Sequence, residues 1–396
     1  MKTSTSKRLR WNVAIWLAAG LFMTGTAGMA AGPIMPDPKA EARHQPQVEE
    51  TANGIPLVNI TAPSSGGVSR NEYETFNVPD KGAILNNSYT LSKTELAGYV
   101  QGNSNMAERP AKIIVNEVTG AGPTSMDGFL EVAGNRADVV IANPNGITVN
   151  GGGFINTGKA FLTTGKPVYD GEDHLQRFDI TGGDILIEGK GLGGKETGSL
   201  AILSRAVKIN AGIWAKDLHI TTGANSIDAK TLEASAIEGK GGHPAFALDT
   251  AAIGGMYAGR ITLVGTEKGL GVNNSGTWSA EDNLTLDWNG DLKNSGTIYS
   301  KGNTDLRTSR LENDKTIAAE RNLSAAAKEN IRNQGKLLAG ENMDIYAGKT
   351  LDNAGHAMES GNNLSIETGD TVNNAAGTIK SGGSQQIKAG HALTNT

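Results

Sequence analysis

The feature that most constrains this chain is a repeat of about 20 residues that fills its last third. An apolar-x-Asn triplet recurs as Val272-Asn273-Asn274, Leu292-Lys293-Asn294, Leu311-Glu312-Asn313, Ile331-Arg332-Asn333, Leu351-Asp352-Asn353, Val372-Asn373-Asn374 and Leu393-Thr394-Asn395. Successive triplets lie 20, 19, 20, 20, 21 and 21 residues apart. Each unit carries further short apolar segments, such as Gly296-Thr297-Ile298 and Leu364-Ser365-Ile366, separated by Gly- and Asn-rich turns. A period near 20 with three short strands per unit predicts a parallel β-helix, one unit per coil. Leucine-rich repeats share the period but need several leucines per unit, which these lack. Coils stacked at the strand spacing of about 4.8 Å would put Asn274, Asn294, Asn313, Asn333, Asn353 and Asn374 in one column, able to exchange side-chain amide bonds.

The same texture extends forward to about Gly54. Runs such as Lys112-Ile113-Ile114-Val115, Ala137-Asp138-Val139-Val140-Ile141 and Asp184-Ile185-Leu186-Ile187 are broken by Gly, Asn and Asp. They read as strands of three to six residues with turns between them. Lys315 to Asn330 is Ala-rich and has helical propensity, but it lies inside the repeat, which predicts strands there. Glycine, 53 of 396 residues, supplies the tight corners. Collagen is excluded, since glycine has no period of three and there are only 12 prolines. Residues 31–54 are polar and Pro-containing and read as a flexible start.

The N-terminus reads as an export signal over residues 1–30. Lys7, Arg8 and Arg10 precede an apolar run from Val13 to Met23, too short to span a bilayer, and Gly28-Met29-Ala30 fits a cleavage site. Such a signal implies the Sec machinery as a partner. Without those 30 residues, 32 Lys and Arg stand against 41 Asp and Glu, a net charge of −9. That balance argues against nucleic acid and against an anionic membrane surface as partners. The chain has no cysteine, so an exported fold must hold by packing and hydrogen bonds alone.

Sequence motifs for catalysis are weak. The six histidines, His44, His174, His219, His243, His356 and His391, show no metal-ligand spacing and read as isolated surface residues. Gly189, Gly191 and Gly194 match G-x-G-x-x-G after a strand, but no helix follows to receive a dinucleotide. No cofactor or metal is expected. A β-helix acting on polysaccharides needs an acidic cluster on one face. Asp170, Glu172 and Asp173 lie together, but they read as a solvated loop.

Ahead of the repeats lie motifs with a specific order. Ser69-Arg70-Asn71-Glu72-Tyr73-Glu74-Thr75-Phe76-Asn77-Val78 leads to Gly82-Ala83-Ile84-Leu85-Asn86-Asn87-Ser88. Val115-Asn116-Glu117-Val118, Ala142-Asn143-Pro144-Asn145-Gly146-Ile147 and Gly153-Phe154-Ile155-Asn156-Thr157 follow. In this order they resemble the two-partner-secretion (TpsA-type) domain of filamentous haemagglutinins, haemolysins and contact-dependent inhibition toxins. The resemblance implies a right-handed parallel β-helix, with the secretion domain over 55–265 and haemagglutinin-type repeats over 266–396. It also implies a partner, the periplasmic POTRA domains of a TpsB-type outer-membrane β-barrel. Localisation would be secreted or on the surface of a double-membrane bacterium.

The family uses an N-P-N-L and an N-P-N-G-I motif. The second is intact at Asn143, Pro144, Asn145, Gly146 and Ile147. The first stands as Asn103-Ser104-Asn105-Met106, with Ser for Pro and Met for Leu. Asn103, Asn105, Met106 and the 143–147 residues are therefore candidates for transporter recognition, for shaping turns, or for both. Asn86, Asn87 and Asn116 read as structural. The repeat stops mid-unit at Thr396, which reads as the front of a longer fibre, or a truncated remnant of one. Adhesion to host or neighbouring cells, delivery of a C-terminal toxin, and polysaccharide chemistry all remain open; the region itself reads as non-enzymatic.

Overall fold

A computed structural model describes residues 32–107 and 109–396; the export signal expected over 1–30 lies outside the described residues. The fold is a parallel β-solenoid of about 13 turns. In the repeats one coil consists of Thr297–Ser300, Thr304–Thr308 and Leu311–Asn313. Each strand pairs in parallel with its counterpart one coil on: Ile298 with Ile317, Leu306 with Ala325, and Leu311 with Ile331. Strands this short bury little alone, so their alternating inward residues must stack. Ile298, Leu306, Leu311, Ile317 and Ile331 join a single apolar column that runs from Ile34 to Val372. A parallel pair needs a crossover of a dozen or more residues; here the remainder of each coil is that crossover.

Stacking overrides local preference in the Ala-rich stretch. Its residues form the strands Thr316–Ala319 and Leu323–Ala327. Ala325 and Ala327 point inward and are buried, while Ser324 and Ala326 are partly exposed. The weak helical bias of alanine yields to tertiary pairing on both sides.

The asparagines of the repeat form an unbroken row, buried from Asn274 to Asn374. Nδ2 of each donates to Oδ1 of the next: Asn274 to Asn294 (2.8 Å), Asn294 to Asn313 (2.8 Å), Asn313 to Asn333 (2.7 Å), Asn333 to Asn353 (2.6 Å), Asn353 to Asn374 (2.7 Å) and Asn374 to Asn395 (2.7 Å). The second Nδ2 proton bonds backbone carbonyls, for example Lys336 O from Asn313 (3.2 Å). A buried amide is stabilising only when its groups are satisfied, and here they are.

A second, partly exposed row lies at the turn before each five-residue strand. Its donors point the other way. Asn322 donates Nδ2 to Asn303 Oδ1 (2.9 Å), Asn342 to Asn322 (2.9 Å) and Asn363 to Asn342 (3.1 Å).

The start of the chain departs from expectation. Residues expected to be flexible are paired into the end of the solenoid. Ile34–Pro36 runs antiparallel to Val68–Phe76, and Gln47–Glu50 runs antiparallel to Pro56–Asn59. Pro56–Asn59 in turn joins the parallel stack through Ala83–Asn87. The reason is edge protection: the first coil would otherwise expose unpaired backbone groups. The antiparallel strands cover them, and Ile34 adds to the core.

Two excursions leave the coil. One is the hairpin Ser92–Thr94 and Gly98–Val100. The other is a four-stranded antiparallel sheet of Lys166–Tyr169, Leu175–Ile180, Asn225–Asp228 and Ala234–Ala236.

Two substitutions test this packing. Asn313→Ala leaves one Asn294 Nδ2 proton without its acceptor in the interior and removes one of the two donors to Asn333 Oδ1, which keeps the Gly335 N–H (3.3 Å), and should cost about 2 kcal/mol by denaturant unfolding. Gly265 lies under the buried Trp288 ring, where a Cβ would sit 2.3 Å from Cδ2. Gly265→Ala should lower stability by about 2 kcal/mol and perturb the Trp fluorescence, since the ring is walled by the core.

Candidate functional site

Both asparagine motifs fold as side-chain-capped turns whose first Asn is buried and whose neighbouring residues face solvent. In the second, Asn143 follows the strand Ala137–Ala142. Its Oδ1 accepts the Asn145 N–H (2.9 Å), and its Nδ2 donates to Gly122 O and Thr124 Oγ1 (both 3.0 Å). Asn145 reaches back through Nδ2 to Gly120 O (2.8 Å). Gly146 has φ +109°, a conformation that side chains disfavour. Ile147 then drops into the core, and Pro144 and Asn145 are left exposed.

The first motif repeats the logic on other partners. Asn103 Oδ1 accepts the Asn105 N–H (3.0 Å), and Asn103 Nδ2 donates to Ile60 O (2.8 Å) and Asn86 O (3.0 Å). Asn105 Nδ2 also bonds Ile60 O (3.1 Å). Met106 is buried and Ala107 is left-handed, with φ +39°. The motifs therefore sit on separate stitches. One ties its loop to residues 60 and 86, the other to residues 120–124. Met106 and Ile147 belong to the same core.

The supporting asparagines all donate through Nδ2, although the buried Asn86 Oδ1 has no partner among the described residues. Asn86 Nδ2 bonds Asn59 Oδ1 (2.8 Å), and Asn116 Nδ2 bonds Val140 O (3.1 Å). Asn87 takes Ala111 N–H on Oδ1 (2.7 Å) and gives Nδ2 to Ala111 O and Asn135 O (both 2.9 Å).

Sequence reasoning missed one cluster. His44, expected at the surface, is buried between Glu72 (Nδ1 to Oε1, 3.0 Å) and Asp173 (Nε2 to Oδ2, 3.7 Å). Arg70 bonds Glu72 (2.8 Å), lies 3.5 Å from Glu117, and stacks its guanidinium 4.4 Å from the centre of the Tyr169 ring. Asp173 is not a solvated loop residue: Arg43 holds it at 2.7 Å and Arg70 approaches to 3.8 Å. The cluster ties the first residues of the fold to the antiparallel excursion. Its members are spread from residue 43 to residue 173, so no local pattern could reveal it. Burial pushes the Glu117 carboxyl above its ordinary range, against the pull of Arg70.

His219 is also mostly inside, its Nε2 at 2.8 Å from Thr221 Oγ1, and burial lowers its pKa. Asp170 accepts from its neighbours' backbone and side chains, including His174 Nδ1 at 3.0 Å. Among the described residues no group of three His, Asp or Glu side chains is placed to hold a metal.

The fold is a parallel β-solenoid with two capped asparagine turns, and the comparisons give the family. The family model of the TPS secretion domain matches residues 33–298, and the haemagglutinin repeat matches 299–355 and 344–396. The chain belongs to the two-partner-secretion domain family. It is 41% identical over 298 residues to a Toxin CdiA of Yersinia pestis, covering 69% of this chain and 9% of that protein. It is 40% identical over 334 residues to a 16S rRNA endonuclease CdiA of Enterobacter cloacae, covering 77% of this chain and 10% of that protein. The chain thus spans about a tenth of the length of these relatives. A crystal structure of the filamentous hemagglutinin secretion domain superposes with a TM-score of 0.59 at 26% identity, covering 90% of this chain and all of that one.

The buried Glu117 yields a pH prediction. Its folded state binds a proton more tightly than the unfolded chain does. Its contribution to stability therefore falls as pH rises from about the ordinary value of 4.5 toward the raised one, then levels off. Glu117→Gln should flatten that fall, and its unfolding midpoint at pH 7 should match or exceed the parent's. Parallel melts from pH 4 to 8 read both.

Proposed function

We propose that this chain is the address and first fibre segment of a large exoprotein, recognised in the periplasm by the POTRA domains of a TpsB-type barrel and carried to the cell surface. The observation that carries the reading is the pair of exposed asparagine turns on a secretion-domain solenoid. Asn143 and Asn103 lock each turn from inside, while Pro144, Asn145 and Ser104 remain at the surface. Recognition by addition of an extended segment to a POTRA sheet edge would suit a chain that crosses before folding.

At the surface the fibre would act as an adhesin toward host or neighbouring cells. A second reading has specific support: the relatives named above are CdiA proteins, one of them a nuclease by name. On that reading this region is the delivery stalk of a contact-dependent inhibition toxin whose toxic part lies elsewhere in the protein. Neither reading places an enzyme here. Polysaccharide chemistry at Asp170 or Asp173 is disfavoured, because these carboxylates are taken up by His174, Arg43 and Arg70.

The test is secretion with a cognate transporter, read beside a pull-down on its periplasmic domains. Asn143→Ala with Asn145→Ala should reduce the chain in the medium at least about tenfold and weaken the pull-down, by loss of the turn's fixed geometry. Unchanged secretion and unchanged capture would sink the proposal.

A further inference from the structure

The loop between the strands Lys166–Tyr169 and Leu175–Ile180 reaches back along the solenoid to the end cap. Its shape is set from within: Asp170 Oδ1 accepts the Glu172 and His174 N–H groups (both 3.0 Å), and the Asp173 N–H donates to Asp170 O (3.2 Å). Asp173 has φ +57°, a left-handed conformation that Asp adopts more readily than most residues and that persists where its surroundings hold it. Its carboxylate faces the cap, 2.7 Å from Arg43, 3.7 Å from His44 and 3.8 Å from Arg70. Beside it, Ser64 Oγ donates to Asp173 O (3.4 Å), and Ser65 Oγ lies 3.2 Å from His174 Nε2. Gly66 makes room for that ring, since a Cβ there would sit 2.1 Å from its Cδ2. The loop is therefore a strap that touches a corner of the first coil and the cap together. Between them lies a cavity of about 490 Å³, whose lining includes Arg43, His44, Arg70, Asp173 and, from the first asparagine turn, Asn105.

The cap has little else to hold it. Its strands Ile34–Pro36 and Gln47–Glu50 are three and four residues long, and each pairs with one neighbour among the described residues. Pairing on that scale is marginal by itself. Between residues 33 and 50 only Ile34, His44 and Pro46 are buried. One of those three, His44, is enclosed between Glu72 and the strap's Asp173. Outside the strap, Asp37 accepts a bond from Thr119 Oγ1 (2.6 Å) at an exposed site.

The strap in turn has no seat until much of the solenoid exists. Phe178 and Ile180, in its second strand, pack with Val115, Val140, Phe161, Ala201 and Leu203 in an apolar layer apart from the central column. Those partners belong to the strands Ile113–Val118, Ala137–Ala142, Thr157–Thr163 and Ser199–Ser204. Asp173 lies 130 residues from Arg43. A solenoid grows through contacts between adjacent coils, and a contact across so long a separation has its closure entropy to overcome first.

We infer that the strap is a late lock on the N-terminal end of the solenoid: the cap stays open while the coils up to Ser204 stack, and closes when Asp173 seats against Arg43, His44 and Arg70. That order leaves the corner carrying Asn105 uncovered while the chain is still folding, which is when the transporter reading requires it. The lock itself does not depend on that reading, and its test contains no transporter.

The full exported chain is refolded from urea, pulsed with deuterium at successive times and digested for mass spectrometry. Peptides over 33–50 should gain protection with or after those over 166–180, and after those over 113–118 and 137–142. At equilibrium, Asp173→Gly keeps the left-handed backbone accessible and removes the carboxylate. It should speed exchange over 33–50 about tenfold, as expected for losing a hydrogen bond between charged groups, and leave 297–319 within about twofold. Asp173→Lys sets a cation against Arg43 and Arg70 and should speed exchange over 33–50 further. Asp282→Lys makes the same charge change at an exposed site on the repeats, and should leave 33–50 within about twofold.

Protection of 33–50 ahead of 166–180 during refolding overturns the order of closure. Exchange over 33–50 within about twofold of the parent in both Asp173 variants overturns the lock. So does an equal rise over 297–319, which would mark general destabilisation of the stack.

Discussion

No coil of this molecule can satisfy its own backbone. The strands of the coils, from two to eleven residues long, give their hydrogen bonds to the coils before and after, and none to themselves. That constraint orders everything else. Side chains that point inward must match their neighbours above and below, so the apolar positions recur with the coil and the core becomes one column from Ile34 to Val372. The same demand places antiparallel strands over the first coil, where no preceding coil lies among the described residues to complete it. It also lets the chain dispense with cysteine, because each coil is clamped on both faces over its whole length.

The stack leaves its corners free, and the polar chemistry gathers there. Asn103 and Asn143 each bury an amide that closes a turn locally and ties it to a distant coil, which pushes the residues between the two asparagines outward. Asn87 does the same for two loops at once. Rigid turns on a rigid solenoid lower the ordering cost of any contact made through them. The excursions follow the same rule: Glu131, buried on the coil, accepts the Glu95 and Leu96 N–H groups (2.7 and 2.9 Å) and so pins the hairpin to the stack.

Much of the architecture is legible in the sequence because a solenoid writes its three-dimensional neighbours at a fixed separation. The triplets ending at Asn274 through Asn395 can be aligned by eye, and the alignment is the register of the sheet. The second asparagine row has nearly the same spacing, at residues 283, 303, 322, 342 and 363. It is harder to read because Asn362 and Asn363 compete for one place and Ser384 follows them. Where the chain leaves the coil, legibility ends. His44, Arg70, Glu117 and Asp173 meet only because the first residues of the fold and the antiparallel excursion both fold back over Val68–Phe76. No period links those positions. Residues 33–54 mislead for a related reason: their polar composition fits a flexible start, while their role as an end cap depends on an exposed edge that composition does not show.

The opposed polarity of the two asparagine rows says what the rows contribute. In the inner row each Nδ2 points to the later coil, so the last coil of any partial stack carries an unmatched donor facing the apolar interior. Adding a coil satisfies that donor and creates another like it, so the number of unmatched donors stays constant as the stack grows. The row therefore adds less to the stability of each new coil than its bond count implies. What it adds is register. A one-residue slip would turn Asn313 outward and bring Glu312 into the core beside Asn294 and Asn333, with a charge and two amides left unpaired. The outer row, whose unmatched group faces water, carries no such penalty. The inner asparagines thus add a second check on alignment, applied once per coil, to the apolar alternation that the same one-residue slip would reverse.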